Sequence, residues 1–453
     1  MGEITLSRLG QLALAPRAPD TVVAIRGADV LTWERFLAEV GGAAEAFCGC
    51  RRGVLLCRDG WRFSVGLFGL LAAGAEVSLP PNDCPATLAR LSAEADCVVD
   101  DSFAAPPRPW SGEIKAALRP WSGEIEAERP RLLFHTSGST GTAKQVARSL
   151  SSLDSEIAAL ETLWGASVAG APVLATVPHH HAFGLVFKLL WPLAAARPFY
   201  SRQYDVWEDV LHDMPAGAVV VSSPAHLTRT GGLVPPAPER RPRLLLSAGA
   251  PLPEAAAAEA LRLFGAPVGE IYGSTETGAV AARIHDNASP AWRPLPGYRA
   301  EAGGEGTLRL HAPGTVADGV IELPDRIALA PDGSFHLLGR ADRIVKIEGK
   351  RVALDEVERA LAALPEIDGV RVLTLVGPSA TLAAVVVPSA AGGKALAAEG
   401  AFRWGRTLRR KLADRLEPAA LPRRWRFVTE LPAAAMGKHR IADFAALFEG
   451  KQG

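Results

Sequence analysis

The chain has 453 residues, too many for one ordinary hydrophobic core, so two or three domains are expected. Hydrophobic residues make up 48% and charged residues 22%, the balance of a globular rather than a disordered chain. Lys plus Arg and Asp plus Glu both number 49, so no net charge draws the protein to nucleic acid or to an anionic membrane.

The first residues, Met1 to Leu6, lack a basic region followed by an apolar one, and Leu6 stands where a myristoylation signal wants Ser or Thr. The longest apolar run, Val65 to Ala75, is too short to cross a bilayer and carries three glycines. No membrane span and a cytoplasmic location are therefore expected. From Leu31 an amphipathic helix is predicted, with Thr32 as its cap and Trp33, Phe36, Leu37, Val40, Ala44 and Phe47 near one stripe. Strands at 53–57, 76–79 and 97–100 then alternate with helices at 63–73 and 86–95, the rhythm of a parallel sheet flanked by helices. The five cysteines, Cys48, Cys50, Cys57, Cys84 and Cys97, have no second closely spaced Cys or His pair at zinc-site intervals and read as reduced structural thiols. The heptapeptide Arg-Pro-Trp-Ser-Gly-Glu-Ile occurs at 108–114 and again at 119–125, a local duplication in a connector with no function assigned.

Leu133-Phe134-His135 then leads into Thr136-Ser137-Gly138-Ser139-Thr140-Gly141-Thr142-Ala143-Lys144. Glycines permit close backbone approach, hydroxyls donate hydrogen bonds and the lysine adds charge, the composition of a phosphate cradle. It is not a Walker A loop, whose glycines stand further apart and whose last glycine directly precedes the lysine. A helix at 150–164 and a strand at 172–177 follow, and α/β alternation continues to about residue 280. Beyond Arg299, short strands with Gly and Pro turns suggest a small β-rich subdomain. After Arg340 a separate α+β unit is expected, with a hairpin at 343–352, a helix at 355–364, strands at 370–376 and 382–387, a helix at 406–416 and a strand at 426–429. The arginines from Arg403 to Arg426 read as solvated surface.

Four more stretches carry chemistry: Ser247-Ala248-Gly249-Ala250-Pro251-Leu252; Tyr272-Gly273-Ser274-Thr275-Glu276-Thr277-Gly278; Gly339-Arg340-Ala341-Asp342-Arg343 through Gly349-Lys350-Arg351; and Leu431-Pro432 with Met436-Gly437-Lys438. Alone, the second reads as a strand end with a helix N-cap, and a lone lysine such as Lys438 reads as surface. With the Thr136–Lys144 cradle, and in this order, they resemble the adenylate-forming superfamily of acyl-CoA synthetases, adenylation domains and luciferases. The resemblance runs from the Leu31 helix to Lys438.

That resemblance implies a large α/β N-terminal domain at 1–340, with parallel sheets and a β-rich subdomain, and a mobile α+β C-terminal domain at 341–453. It implies ATP and Mg²⁺ as cofactors and a small carboxylic acid as substrate, activated as an acyl- or aryl-adenylate. The adenylate then yields a thioester on CoA or on the phosphopantetheine of an acyl carrier protein. The cradle would hold the leaving phosphates, Tyr272 and Gly273 with Gly249-Ala250-Pro251 the adenine, and Asp325 and Arg340 the ribose. Thr275 would touch the α-phosphate, Glu276 would hold Mg²⁺, a hard ion that prefers oxygen, and Lys438 would neutralise charge as carboxylate meets α-phosphate. Asp342 would be the hinge, and Gly349 and Lys350 would flank the pantetheine path. Two departures are visible: Asp325 follows Leu323-Pro324 rather than Thr-Gly, and the basic residue after Lys438 is Arg440, one position early.

Pro178-His179-His180-His181-Ala182-Phe183-Gly184-Leu185 matches the superfamily's Pro-x-x-His-x-x-Gly-Leu and makes His181 the gate residue. Three adjacent imidazoles on an extended segment converge poorly on one metal ion. The substrate pocket is expected from His181, Phe183, Gly184, Ser247, Ala248 and Ser274, which offer no partner for an ammonium. An aromatic, hydroxybenzoate-like or acyl acid follows. The rivals are an enzyme passing its adenylate to a non-thiol acceptor and a catalytically silent binding or scaffold protein on the same fold.

Overall fold

The computed structural model describes residues 6–81, 85–105, 123–137, 143–285, 290–312, 319–340, 343–347, 350–375, 381–413, 415–416, 418–432 and 441–448. The fold is mixed α/β, as expected. A nine-stranded sheet runs in the order Arg293–Pro294, Gly278–His285, Val268–Ser274, Leu244–Ser247, Val219–Ser222, Val173–Ala175, Phe199–Tyr200, Val22–Arg26 and Asp29–Thr32. The strands from Val268–Ser274 through Val22–Arg26 are parallel and mostly apolar, because helices cover both faces, while Gly278–His285 pairs antiparallel with its neighbours. A five-stranded sheet holds Cys97–Val99, Arg52–Leu55, Glu76–Leu79, Leu132–Ser137 and Ala143–Arg148, the last two antiparallel.

Helix boundaries follow capping chemistry in several places, Ser389 before Ala390–Glu399 among them. Asp59 accepts from Arg62 N and starts the helix Gly60–Ala72, and Ser149 accepts from Ser152 N and starts Leu150–Trp164. Thr32 occupies the N-cap position of the helix Trp33–Ala46, but its side chain makes no capping bond. That helix is held instead by burial of Trp33, Phe36, Leu37 and Val40, whose spacing is the predicted stripe.

One expectation is corrected. Cys50 and Cys97 form a disulfide rather than two reduced thiols. The reason is register: Gly53 pairs with Cys97 across parallel strands, a proximity that the separation of 47 residues hides. Cys48 is exposed and free, Cys57 is buried and free, and Cys84 lies outside the described residues.

The chain divides into two compact units, Met1–Arg299 with Leu310–Ile321, and Ala300–Arg309 with Glu322–Gly453. The division falls earlier than residue 340 because the strand Phe335–Arg340, and most of Val320–Leu329 beside it, group with the second unit. That unit also contains a hairpin, Ile344–Ile347 with Lys350–Ala353, and a sheet of Ile367–Leu375, Thr381–Pro388 and Arg424–Phe427. Its helices include Leu354–Ala362, Ala390–Glu399, Ala401–Ala413 and Ile441–Ala446. Within this unit Arg343 makes a two-pronged bond to Glu358 at 2.8 and 2.9 Å, a contact with Asp355, and a bond to Val372 O at 2.9 Å. Among the described residues no helix is long and apolar enough to cross a membrane.

Candidate active site

Four adjacent parallel strands end at the same edge of the large sheet, and the predicted residues at 181–184, 247–251 and 272–276 collect there. Val268–Ser274 ends in Tyr272-Gly273-Ser274, its neighbour Leu244–Ser247 runs into Ala248-Gly249-Ala250-Pro251, and Val219–Ser222 and Val173–Ala175 follow. The last leads into the loop Pro178–Gly184. Carboxyl ends of parallel strands are where α/β sheets bind ligands, because the loops there diverge around a crevice.

Glycine is required at Gly273 and Gly184, as it is at Gly278. A side chain on Gly273 would place its Cβ 2.1 Å from Gly278 O, and one on Gly184 would place it 2.0 Å from Pro178 O. Both loops therefore close on themselves only without a Cβ. The turn after Tyr272 is then tied reciprocally: Ser274 N donates to Thr277 Oγ1 at 3.1 Å, and Thr277 N donates to Ser274 Oγ at 3.2 Å. Thr275 is half-buried on this turn and Glu276 is exposed.

Beneath the turn lies an ion pair that the sequence does not announce. Arg148 and Glu156 are both buried, with Arg148 Nη2 donating to Glu156 Oε2 at 3.2 Å. The other carboxylate oxygen accepts from Ala279 N at 2.8 Å, and Arg148 Nη1 reaches Thr275 O at 3.5 Å. Burial raises the Glu156 pKa, while the guanidinium and the Ala279 N–H oppose that rise. Arg148 also ends the strand Ala143–Arg148, whose first residues belong to the cradle. One side chain thus couples the cradle's second strand to the Ser274–Gly278 turn.

A second buried carboxylate does the same for the neighbouring loop. Glu270 accepts from Leu252 N at 2.9 Å, immediately after Pro251, and from Arg283 Nε at 2.7 Å, and its Oε2 lies 2.8 Å from His285 Nε2. Arg283 in turn stacks over Trp292 at 4.4 Å, and Trp292 meets Tyr272 with ring centroids 5.5 Å apart. The Gly249–Pro251 turn and the Tyr272 ring therefore answer to one carboxylate.

The histidine run splits rather than converging. His179 is buried with Nε2 2.8 Å from Cys57 O, so that nitrogen carries the proton, while Nδ1 accepts from Lys188 Nζ at 3.3 Å. Lys188 is wholly buried and also donates to Ser201 O and Arg202 O at 3.3 and 3.1 Å. Burial pushes its pKa down to about 7. His181 packs against His180 and is held neutral, burial pushing its pKa down to about 3. Among the described residues no cluster of three His, Cys, Asp or Glu side chains could hold a metal. Among the described residues Ser247 Oγ is buried with no hydrogen-bond partner.

In the second unit, Asp325 and Arg340 are directly opposed in the antiparallel pair Val320–Leu329 and Phe335–Arg340. The hairpin register pairs Thr136 with Lys144 and Ser137 with Ala143, so the cradle is the connection between two strand ends. Its residues Gly138, Ser139, Thr140 and Gly141 lie outside the described residues, as do Asp342, Gly349, Met436, Gly437, Lys438 and Arg440. For Thr136, Ser137, Lys144, Arg340 and Lys350 the strands give backbone register alone. Most of the 108–125 duplication is likewise outside.

Residues 13–321 match the family described as AMP-binding enzyme, well over half of the chain. The chain belongs to that family. This AMP-binding enzyme is 29% identical over 323 residues to the 4-coumarate–CoA ligase of Rhodobacter capsulatus, covering 70% of this chain and 77% of that one. It is 27% identical over 383 residues to the mitochondrial malonate–CoA ligase of Xenopus laevis, covering 69% of this chain and 64% of that one. Its fold matches ATP-bound MatB from Rhodopseudomonas palustris with a TM-score of 0.76 at 19% identity, over 97% and 99% of the two chains.

Two outcomes are expected. Glu156→Ala leaves Arg148 buried without its counter-ion and should cost about 3–5 kcal/mol in a urea melt; a loss below 1 kcal/mol would place the pair in solvent. The folded state binds fewer protons at Lys188 than the unfolded chain between about 7 and the ordinary lysine value of 10.5. Stability from this group is therefore complete above 10.5 and lost as pH falls to about 7. The stability difference between wild type and Lys188→Met should rise from pH ~7 to ~9, and a flat difference contradicts the lowered pKa.

Proposed function

We propose that this protein is an ATP-dependent carboxylic acid ligase that forms an acyl- or aryl-adenylate and passes the acyl group to a phosphopantetheine thiol, on CoA or on an acyl carrier protein. The observation carrying this reading is the pair of pinned loops, Gly249–Pro251 and Ser274–Gly278, at the carboxyl ends of neighbouring parallel strands. Family membership and the CoA ligases among the relatives support it.

In the first half-reaction a carboxylate oxygen attacks the α-phosphorus of ATP, the bond to the bridging oxygen breaks and pyrophosphate leaves. Two anions meet, so charge neutralisation outweighs proton transfer. Tyr272 and the Gly249–Pro251 turn hold adenine, Asp325 and Arg340 the ribose, Thr275 the α-phosphate, and Thr136–Lys144 the departing phosphates. Lys438 supplies the cation at the reacting oxygens. Glu276, exposed on the Ser274–Gly278 turn, is a hard oxygen donor and suits Mg²⁺, which keeps phosphate and water oxygens in its shell. Bound there, the ion would screen phosphate charge. In the second half-reaction a pantetheine thiolate attacks the acyl carbon, the carbon–oxygen bond to phosphate breaks and AMP leaves.

The acid we favour is aromatic and hydroxylated. Of the proposed pocket residues His181, Phe183, Gly184, Ser247, Ala248 and Ser274, none bears charge, since His181 is neutral. The nearby buried amine of Lys188 spends its donors on His179, Ser201 and Arg202. A second carboxylate, as on malonate, or an ammonium therefore lacks a counter-ion, and burying either unpaired is costly. Phe183 and Phe187, with ring centroids 4.7 Å apart, offer an aromatic wall. The unpartnered Ser247 hydroxyl offers a handle for a ring hydroxyl.

A pyrophosphate-release screen over benzoic, hydroxybenzoic, cinnamic, fatty, malonic and amino acids should rank a hydroxybenzoic acid first. Ser247→Ala should cut its advantage over benzoate about tenfold, the value of one hydrogen bond near 1.4 kcal/mol. A clear preference for malonate or an amino acid would overturn the substrate assignment. Lys438→Ala should lower adenylation about 100-fold or more yet leave thioester formation from preformed adenylate largely intact. Equal loss of both steps would contradict its assignment to the first.

A further inference from the structure

The helix Ala401–Ala413 carries five cations, Arg403, Arg406, Arg409, Arg410 and Lys411, and no acid. Its inner face, Trp404, Leu408 and Leu412, is buried. Arg403, Arg406 and Arg410 recur at three- and four-residue spacing and fall on the opposite, exposed face. Phe402 stands on the same exposed side with 78% of its surface open. The surrounding stretch from Arg403 to Arg426 has nine cations and two acids, in a chain whose total of 49 cations equals its total of 49 acids.

Three observations separate this face from an ordinary solvated one. Several exposed arginines elsewhere pair with acids, as Arg35 with Glu39, Arg202 with Asp209 and Arg262 with Glu259. On this helix Lys411 pairs with Glu366 and Arg410 bonds Thr407, but among the described residues Arg403, Arg406, Arg409 and Arg410 meet no carboxylate. Helix stability does not explain the pattern either. A helix dipole favours cations in the last turn, where Arg410 and Lys411 stand, and disfavours them in the first, where Arg403 stands. Finally, exposed Arg beside an exposed aromatic ring is the composition of an interface centre rather than of a solubilising surface.

We propose that the Phe402–Arg403–Arg406–Arg410 face docks an acidic protein carrying phosphopantetheine, so that the thiol acceptor is a carrier protein rather than free CoA. The inference rests on the thioester-forming reading above. Charge complementarity selects the partner: a row of unmatched guanidiniums fits rows of carboxylates on a helical protein and steers its approach. The face is also mechanically joined to the relevant hairpin. Trp404, Leu408 and Leu412 share one core with Ile347 and Val352, which flank the Gly349-Lys350 segment proposed for pantetheine passage. Partner and passage would therefore move as one body.

The test compares wild type with the triple variant Arg403→Glu, Arg406→Glu, Arg410→Glu and with its Gln counterpart, using the preferred acid and three thiols: free pantetheine, CoA and an acidic holo acyl carrier protein. Pyrophosphate exchange and transfer to pantetheine should be unchanged, which also shows that the variants fold. Transfer to the carrier should fall about tenfold or more in kcat/KM, further for Glu than for Gln, and the wild-type carrier rate should drop steeply with salt. Unchanged carrier kinetics would overturn the docking face and leave the ligase reading standing. So would loss in the variants of binding to random duplex DNA or to phosphatidylglycerol vesicles without an effect on the carrier reaction. No transfer to any thiol, with adenylation intact, would overturn both.

Discussion

A carboxylate sealed from water must either give up its charge or be met by donors that replace its lost hydration, and Glu156 is met on both oxygens. That requirement organises the first unit. Satisfying Glu156 draws in Arg148 from the end of one strand and Ala279 N from the start of another. The Ser274–Gly278 turn is left with little freedom between them. Gly278 sits so close to this carboxylate that an added Cβ would lie 2.2 Å from Glu156 Oε2, and its φ of +70° suits glycine alone. Glu270 repeats the device one loop away, joining Leu252 N, Arg283 and His285. Neither carboxylate is assigned to the chemistry. Both hold the residues that are.

Preorganisation of this kind suits a reaction between anions. Donors fixed in advance need no reorganisation as charge moves, and they act more strongly where water is kept out. The same economy governs the histidine loop. Lys188 and His179 satisfy each other and three backbone carbonyls, so a polar cluster sits inside an apolar wall without leaving a cation for the substrate. The widened helical turn Leu185–Leu190 that carries Lys188 is of a type often retained where function demands an odd side-chain placement.

Much of this was legible in the chain itself. Alternation of apolar runs and amphipathic stretches gave the α/β class and most element positions, since Glu76–Leu79 and Leu150–Trp164 follow directly from period and capping. Ordered motifs gave the family because five short stretches in one order are improbable by chance. What stayed hidden was pairing across distance. Arg148 with Glu156, Glu270 with Leu252 and Cys50 with Cys97 depend on strand register, and no local spacing encodes that. Lys188 had a readable signal, a lone lysine inside Leu185-Val186-Phe187-Lys188-Leu189-Leu190. Burial of an ammonium demands a matched set of acceptors, so the lysine itself pointed to a polar cluster nearby. The helix Ala390–Glu399 was missed because Ala and Gly leave it almost no apolar stripe.

The central claim is that a carboxylate oxygen becomes bonded to the α-phosphorus of ATP. Turnover with an acid labelled with ¹⁸O in its carboxylate, followed by mass spectrometry of the nucleotide, tests it directly. The account predicts AMP carrying a single ¹⁸O from the acid. Unlabelled AMP, or label appearing in inorganic phosphate beside ADP, would contradict it.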